Sequence, residues 1–95
     1  MFIQTEALPD ASIMRFYPGR TVLEAGSAQF ESPDEAARSP LAAALFTIDG
    51  VEAVAFDADF VAVRKAEAVD WQVLKPPILG AIMEHFVAGL PVIHD

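Results

Sequence analysis

Acid–base or metal chemistry in this chain would have to start from its two histidines, each beside a carboxylate: Glu84-His85 and His94-Asp95. Neighbouring residues on a helix point in different directions, and no His-x-x-x-His spacing puts two imidazoles on one face. The pairs therefore read as polar surface or satisfied core polarity. Asp57-x-Asp59 opens like a calcium loop, but its sixth position is Ala62 and its twelfth Ala68, where glycine and glutamate are needed. The hydroxyl candidates are Ser12, Ser27, Ser32 and Ser39; none sits in a Gly-x-Ser-x-Gly elbow, and Ser32 and Ser39 stand where helix caps belong. The glycines, at 19, 26, 50, 80 and 89, are too scattered to cradle a phosphate. There is no cysteine, which excludes disulfides, thiolate nucleophiles, sulfur-bound zinc and a Cys-ligated iron–sulfur cluster within these residues. No catalytic, cofactor-binding or metal-ligating residue is assigned, and the chain reads as no enzyme. The alternative is a small enzyme or ligand-binding protein using His85 as general acid–base, which requires a concave pocket at His85 and a shifted pKa.

Binding chemistry is more promising than catalysis. The net charge is −8, from 14 acidic and 6 basic residues. Such a surface repels nucleic acid and anionic membranes, so neither is expected as a partner. The apolar runs are short and broken by charges, so none is a membrane span. The start, "MFIQTEALPD", lacks a basic secretory leader, and a cytoplasmic location is expected. Within the first turn and the strand after it, Pro9 stiffens the backbone and Asp10 and Arg15 offer opposite charges. Tyr17 can sit half-buried with its hydroxyl in water. Pro9, Asp10, Arg15 and Tyr17 are the candidate partner-binding residues.

The elements that must position these groups follow from pattern. Apolar residues are 54% of a 95-residue chain, enough for one core. "MFIQTEA" and "IMRFY" read as strands around the turn "LPDAS", with a weaker strand at "SAQFE". Ser32-Pro33 and Ser39-Pro40 each open a short helix, the second running to about Asp49-Gly50. "VEAVAFDADFVAV" is a hairpin with its loop at Asp57–Asp59, where Asp57 or Asp59 takes an unusual backbone. Asp70 caps a helical turn, a break is expected at Pro76, and the main helix restarts at "PPILGAIMEHFVAG". Phe56, Phe60, Trp71, Ile78, Ile82 and Phe86 are expected to form one core. The order predicts an α+β fold: a two-layer sandwich, mainly antiparallel sheet with the helices on one face.

Taken in order, "FIQTE", "RFYPG", "SPLAAALFTIDGV", "FDADFVAV" and "VDWQVLKPPILGAIMEHF" resemble the N-terminal domain of Nfu-type (NifU-like) iron–sulfur scaffold proteins. The resemblance covers residues 1–91 and leaves 92–95 as a tail, the start of a linker. It departs in the first turn, which reads Pro9-Asp10-Ala11 where the family has Pro-Asn-Pro, and at Asp57, where the family often has glycine. The resemblance implies a non-catalytic accessory module that assists cluster delivery. Its implied partners are client apoproteins, assembly factors and its own cluster-bearing domain. It also implies that the [4Fe–4S] cluster resides on a C-terminal Cys-x-x-Cys domain absent from these residues, leaving no cofactor here.

Overall fold

The computed structural model describes residues 2–93. A five-stranded antiparallel sheet runs in the order β1-β2-β5-β4-β3: β1 (Gln4–Ala7), β2 (Ile13–Tyr17), β3 (Ala28–Phe30), β4 (Val51–Phe56) and β5 (Val61–Lys65). Two helices, α1 (Pro40–Phe46) and α2 (Trp71–Ala88), pack on one face, so the α+β sandwich matches the expectation. The β4–β5 hairpin lies inside the sheet, as its apolar strands require.

Period-two alternation decides what the helices cover. Met14, Phe16, Phe30, Val54, Phe56, Val61 and Val63 point inward and meet Leu41 and Leu45 of α1 and Leu74, Ile78 and Ile82 of α2. Trp71 and Phe86 are half-buried against this cluster. Phe60 is not in it. In the β4–β5 register Phe56 faces Val61, and cross-strand partners share a face. Phe60, one residue before Val61, therefore points to the other side.

Three further expectations are corrected. First, α2 does not break at Pro76; it runs unbroken from Trp71 through Pro76 and Pro77. The prolines sit just past the first turn. The carbonyls that lose their donors belong to Gln72 and Val73, which are exposed to water. Asp70 caps the start by accepting from the Gln72 N–H at 3.1 Å, and Gly89 closes the end in the left-handed conformation, φ 71°. Second, α1 stops at Phe46, short of Gly50. Gly50, φ 101°, instead turns the chain into β4, and an added Cβ there would come within 3.1 Å of Val69. Third, no described residue other than glycine has positive φ, so Asp57 and Asp59 keep ordinary backbone. The loop closes through Asp57 N–H donating to the Phe60 carbonyl at 3.1 Å.

The segment before α1 forms one 3₁₀ turn, Glu35–Arg38, whose Glu35 N–H donates to Ser32 Oγ at 3.3 Å. Ser39, fully buried, accepts the Ala42 N–H at 3.0 Å and donates its own proton to the Val92 carbonyl at 2.6 Å. One hydroxyl thus caps α1 and ties down the residues after α2. Val92 is buried, so packing continues past Pro91. Residues 94 and 95, including the His94 candidate, lie outside the described residues.

Two outcomes are expected in urea unfolding. Phe56→Ala costs about 3–5 kcal/mol while Phe60→Ala costs clearly less, because only Phe56 is enclosed. Ser39→Ala costs roughly 1–3 kcal/mol, since it removes a helix cap and strands a buried carbonyl.

Candidate interaction surface

The face of the sheet turned away from the helices is open. An antiparallel sheet with one solvated face ordinarily presents polar residues there. Here the central positions are alanines: Ala53 and Ala55 on β4 and Ala62 on β5. They floor a trough of about 230 Å³, walled by Ile13 and Phe60 and edged by Arg15 and Arg64.

One end of the trough is a locked cluster. The β1–β2 register sets Glu6 opposite Arg15. Glu6 Oε1 accepts the Tyr17 hydroxyl at 2.9 Å and lies 3.5 Å from Arg15 Nη1. The Arg15 guanidinium stacks 4.5 Å above the Phe60 ring, and Tyr17 meets the same ring edge-on at 5.8 Å. At the far side Arg64 Nη2 lies 4.0 Å from Glu31 Oε2. Both ion pairs are solvent-exposed and contribute little to stability. Their effect is to hold charged groups in place around an apolar floor.

Of the sequence candidates, Arg15 and Tyr17 come together in this cluster. Pro9 and Asp10 stand apart, exposed in the β1–β2 turn. Asp10 is occupied locally: Oδ1 accepts the Ser12 hydroxyl at 2.6 Å and the Ser12 N–H at 3.0 Å. These two bonds, the hydroxyl first, hold its pKa below the usual aspartate value. The turn is held by the Trp71 indole, which donates to the Ala11 carbonyl at 2.9 Å. Sequence reasoning missed Glu6 and Phe60. Glu6 was accessible from the pairing of the two strands around the turn, whereas Phe60 needed the hairpin register.

His85 lies on the other side of the molecule. It is 6% exposed and lines an open cleft between α1 and α2, and its Nε2 has no hydrogen-bond partner among the described residues. Burial lowers its pKa; a hydrogen bond with the Leu90 backbone opposes the shift, and Arg20 adds to it. The described residues contain no group of three or more His, Cys, Asp or Glu able to hold a metal ion.

Residues 3–89 match the family described as "Scaffold protein Nfu/NifU N terminal". The whole chain aligns with NifU-like protein 4 of Arabidopsis thaliana at 46% identity over 95 residues, covering 34% of that protein. It aligns with the NFU1 iron-sulfur cluster scaffold homolog of Homo sapiens at 47% over 96 residues, covering 38%. The chain thus spans about a third of the length of these relatives. The solution structure of a NifU-like protein from Saccharomyces cerevisiae superposes with a TM-score of 0.85 at 25% identity, over 97% of this chain and 83% of that one. A Staphylococcus aureus crystal structure shares the fold at TM-score 0.74 and 17% identity, over 86% of this chain and 99% of that one. Both sequence relatives are mitochondrial proteins, which overturns the cytoplasmic expectation. That expectation rested on ten residues of a chain that spans a third of its relatives, too little to carry a compartment. The match across residues 3–89, the identities above 40% and the shared fold place this chain in the Nfu/NifU N-terminal domain family.

Proposed function

We propose that this domain is the non-catalytic interaction module of an iron–sulfur cluster scaffold protein. It docks a cluster-bearing domain, an assembly factor or a client apoprotein through the open face of its sheet. The observation that supports this most is the alanine-floored trough with its locked Glu6–Arg15–Tyr17–Phe60 end. Side chains already held in place lose little freedom on binding, and aromatic and arginine anchors dominate interface energies. Arg15 and Tyr17 act as anchors, and Pro9 and Asp10, apart from the trough in the β1–β2 turn, add a second contact.

The test is an NMR titration of the labelled chain with the Cys-x-x-Cys domain of a relative. Shift changes are expected at Arg15, Tyr17, Phe60 and Ala62. Arg15→Ala should weaken binding about tenfold or more, roughly 1.4 kcal/mol. Changes confined to the helical layer would overturn the assignment. The cluster itself is expected elsewhere, since no thiolate is available here. Anaerobic reconstitution of this chain should therefore leave no visible iron–sulfur absorbance, and a stable band at stoichiometric iron would contradict the reading.

The cleft beside His85 is the observation that favours the second reading, a small enzyme or ligand-binding protein. Burial favours the neutral imidazole, but Nε2 is buried and out of reach of a substrate lying in the cleft. A core histidine makes a separate prediction. Its folded pKa lies below the ordinary value of 6.5, so below that pH the unfolded chain binds the extra proton first. The stability contributed by neutral His85 is full above about pH 6.5 and falls as the pH drops through the depressed folded value. Chemical denaturation between pH 7.5 and 5 should show this loss, and His85→Gln should flatten it.

A further inference from the structure

A second apolar surface lies on the opposite side of the molecule, along the outer side of α2. A surface helix ordinarily carries a polar stripe opposite its apolar one. In the eighteen residues of α2 the only ionisable side chains are Lys75, Glu84 and His85. Val73 is 66% exposed, Val87 83%, and Leu90, just beyond the helix, 51%. Phe2 is the remaining large hydrophobic so exposed among the described residues.

The cleft between α1 and α2, about 500 Å³, has Leu90 in its lining. Its walls are low: Pro77, Gly80, Ala81 and Ala88 from α2, Pro40 and Ala44 from α1. Gly80 shows that the space is external. A Cβ built there meets nothing within 4 Å, so the fold does not require glycine, although glycine weakens a helix interior relative to alanine. The open volume above Gly80 is where a second backbone could come close.

We propose that this cleft receives an amphipathic helix of a partner protein, apolar on its seated face and rich in lysine or arginine along its flanks. Along α2 from Pro77 to Ala88 the cleft is ~17 Å long at 1.5 Å per residue, room for about three helical turns. Charge selects the flanks. The chain carries −8, α1 has no charged residue, and among the described residues Glu84 is the one carboxylate lining the cleft. An acidic helix would be repelled, and a second copy would bring another −8 into the same field. The surface lies across the domain from the sheet face, so both could be occupied at once.

The probe is a 14-residue synthetic helix of leucine and lysine in amphipathic pattern, compared with a leucine–glutamate peptide of the same pattern. Each is titrated by NMR into the labelled chain, into Gly80→Lys and into Arg15→Ala. Gly80→Lys places a charged side chain in open space, so the fold is retained. Saturable shifts at Ala44, Ala81 and Ala88 are expected with the lysine peptide alone, weakened at least tenfold by Gly80→Lys and unchanged by Arg15→Ala. Unsaturable shifts spread over the acidic surface, or equal affinity for Gly80→Lys, would overturn the proposal. So would concentration-dependent dimerisation in sedimentation that Gly80→Lys abolishes, because the cleft would then belong to a second copy. Loss of binding in Arg15→Ala alone would move the peptide to the sheet face and overturn the cleft assignment.

Discussion

The pairing of Phe56 with Val61 across the β4–β5 hairpin is the contact on which the two faces of this domain depend. With those residues opposed, Val54, Phe56, Val61 and Val63 all turn toward the helices, and Ala53, Ala55, Phe60 and Ala62 turn away. A slip of one residue would exchange the sets, exposing large side chains and burying alanines that cannot fill the core. Because β5 also pairs with β2, the same register aligns Arg15 with Ala62 and brings its guanidinium over Phe60. The core and the candidate docking surface are consequences of one alignment.

One polar point ties the helical layer to this sheet, and a second ties the layer to itself. Trp71 packs edge-on against Phe16 at 6.3 Å and reaches with its indole N–H to Ala11, so the start of α2 and the β1–β2 turn are held together. Ser39 joins the start of α1 to Val92 beyond the end of α2. Apolar packing between helices and sheet is non-directional. These hydrogen bonds supply the direction, and a buried hydroxyl with both its donor and acceptor roles filled has no competing arrangement to adopt.

Charge is unevenly distributed over the domain. Its acidic residues lie largely in loops and at strand margins, while α1 is uncharged and α2 nearly so. The sheet face differs: four charged groups are held in two pairs around an apolar floor. Charges arranged this way favour orientation and selectivity more than raw affinity. The two faces thus differ in kind: paired charges around an apolar floor on the sheet side, and a nearly uncharged, partly apolar surface on the helical side.

Much of this was legible in the residues. The strands, the Ser39-Pro40 and Asp70 helix starts, the closing Gly89 and the absence of thiolate chemistry all follow from local patterns that act within a few residues: alternation, capping side chains, a glycine free to take positive φ, and a bare count of cysteines. Arg15 and Tyr17, two residues apart on one strand, share a face by alternation alone. Phe60 could not be placed that way, because which side of the hairpin it occupies depends on the partner strand, and Val61 offers an equally good inward residue one step away. The continuity of α2 through Pro76 and Pro77 was also beyond local rules. Lost hydrogen bonds are tolerated where the freed carbonyls meet water, and burial of Leu74, Ile78 and Ile82 on one side decides which way the helix faces. Sequence determined where most elements begin and that these residues hold no thiolate. Tertiary structure alone decided which apolar residues were enclosed and which were left outside as surface, because burial is settled by the far side of a contact, and that lies elsewhere in the chain.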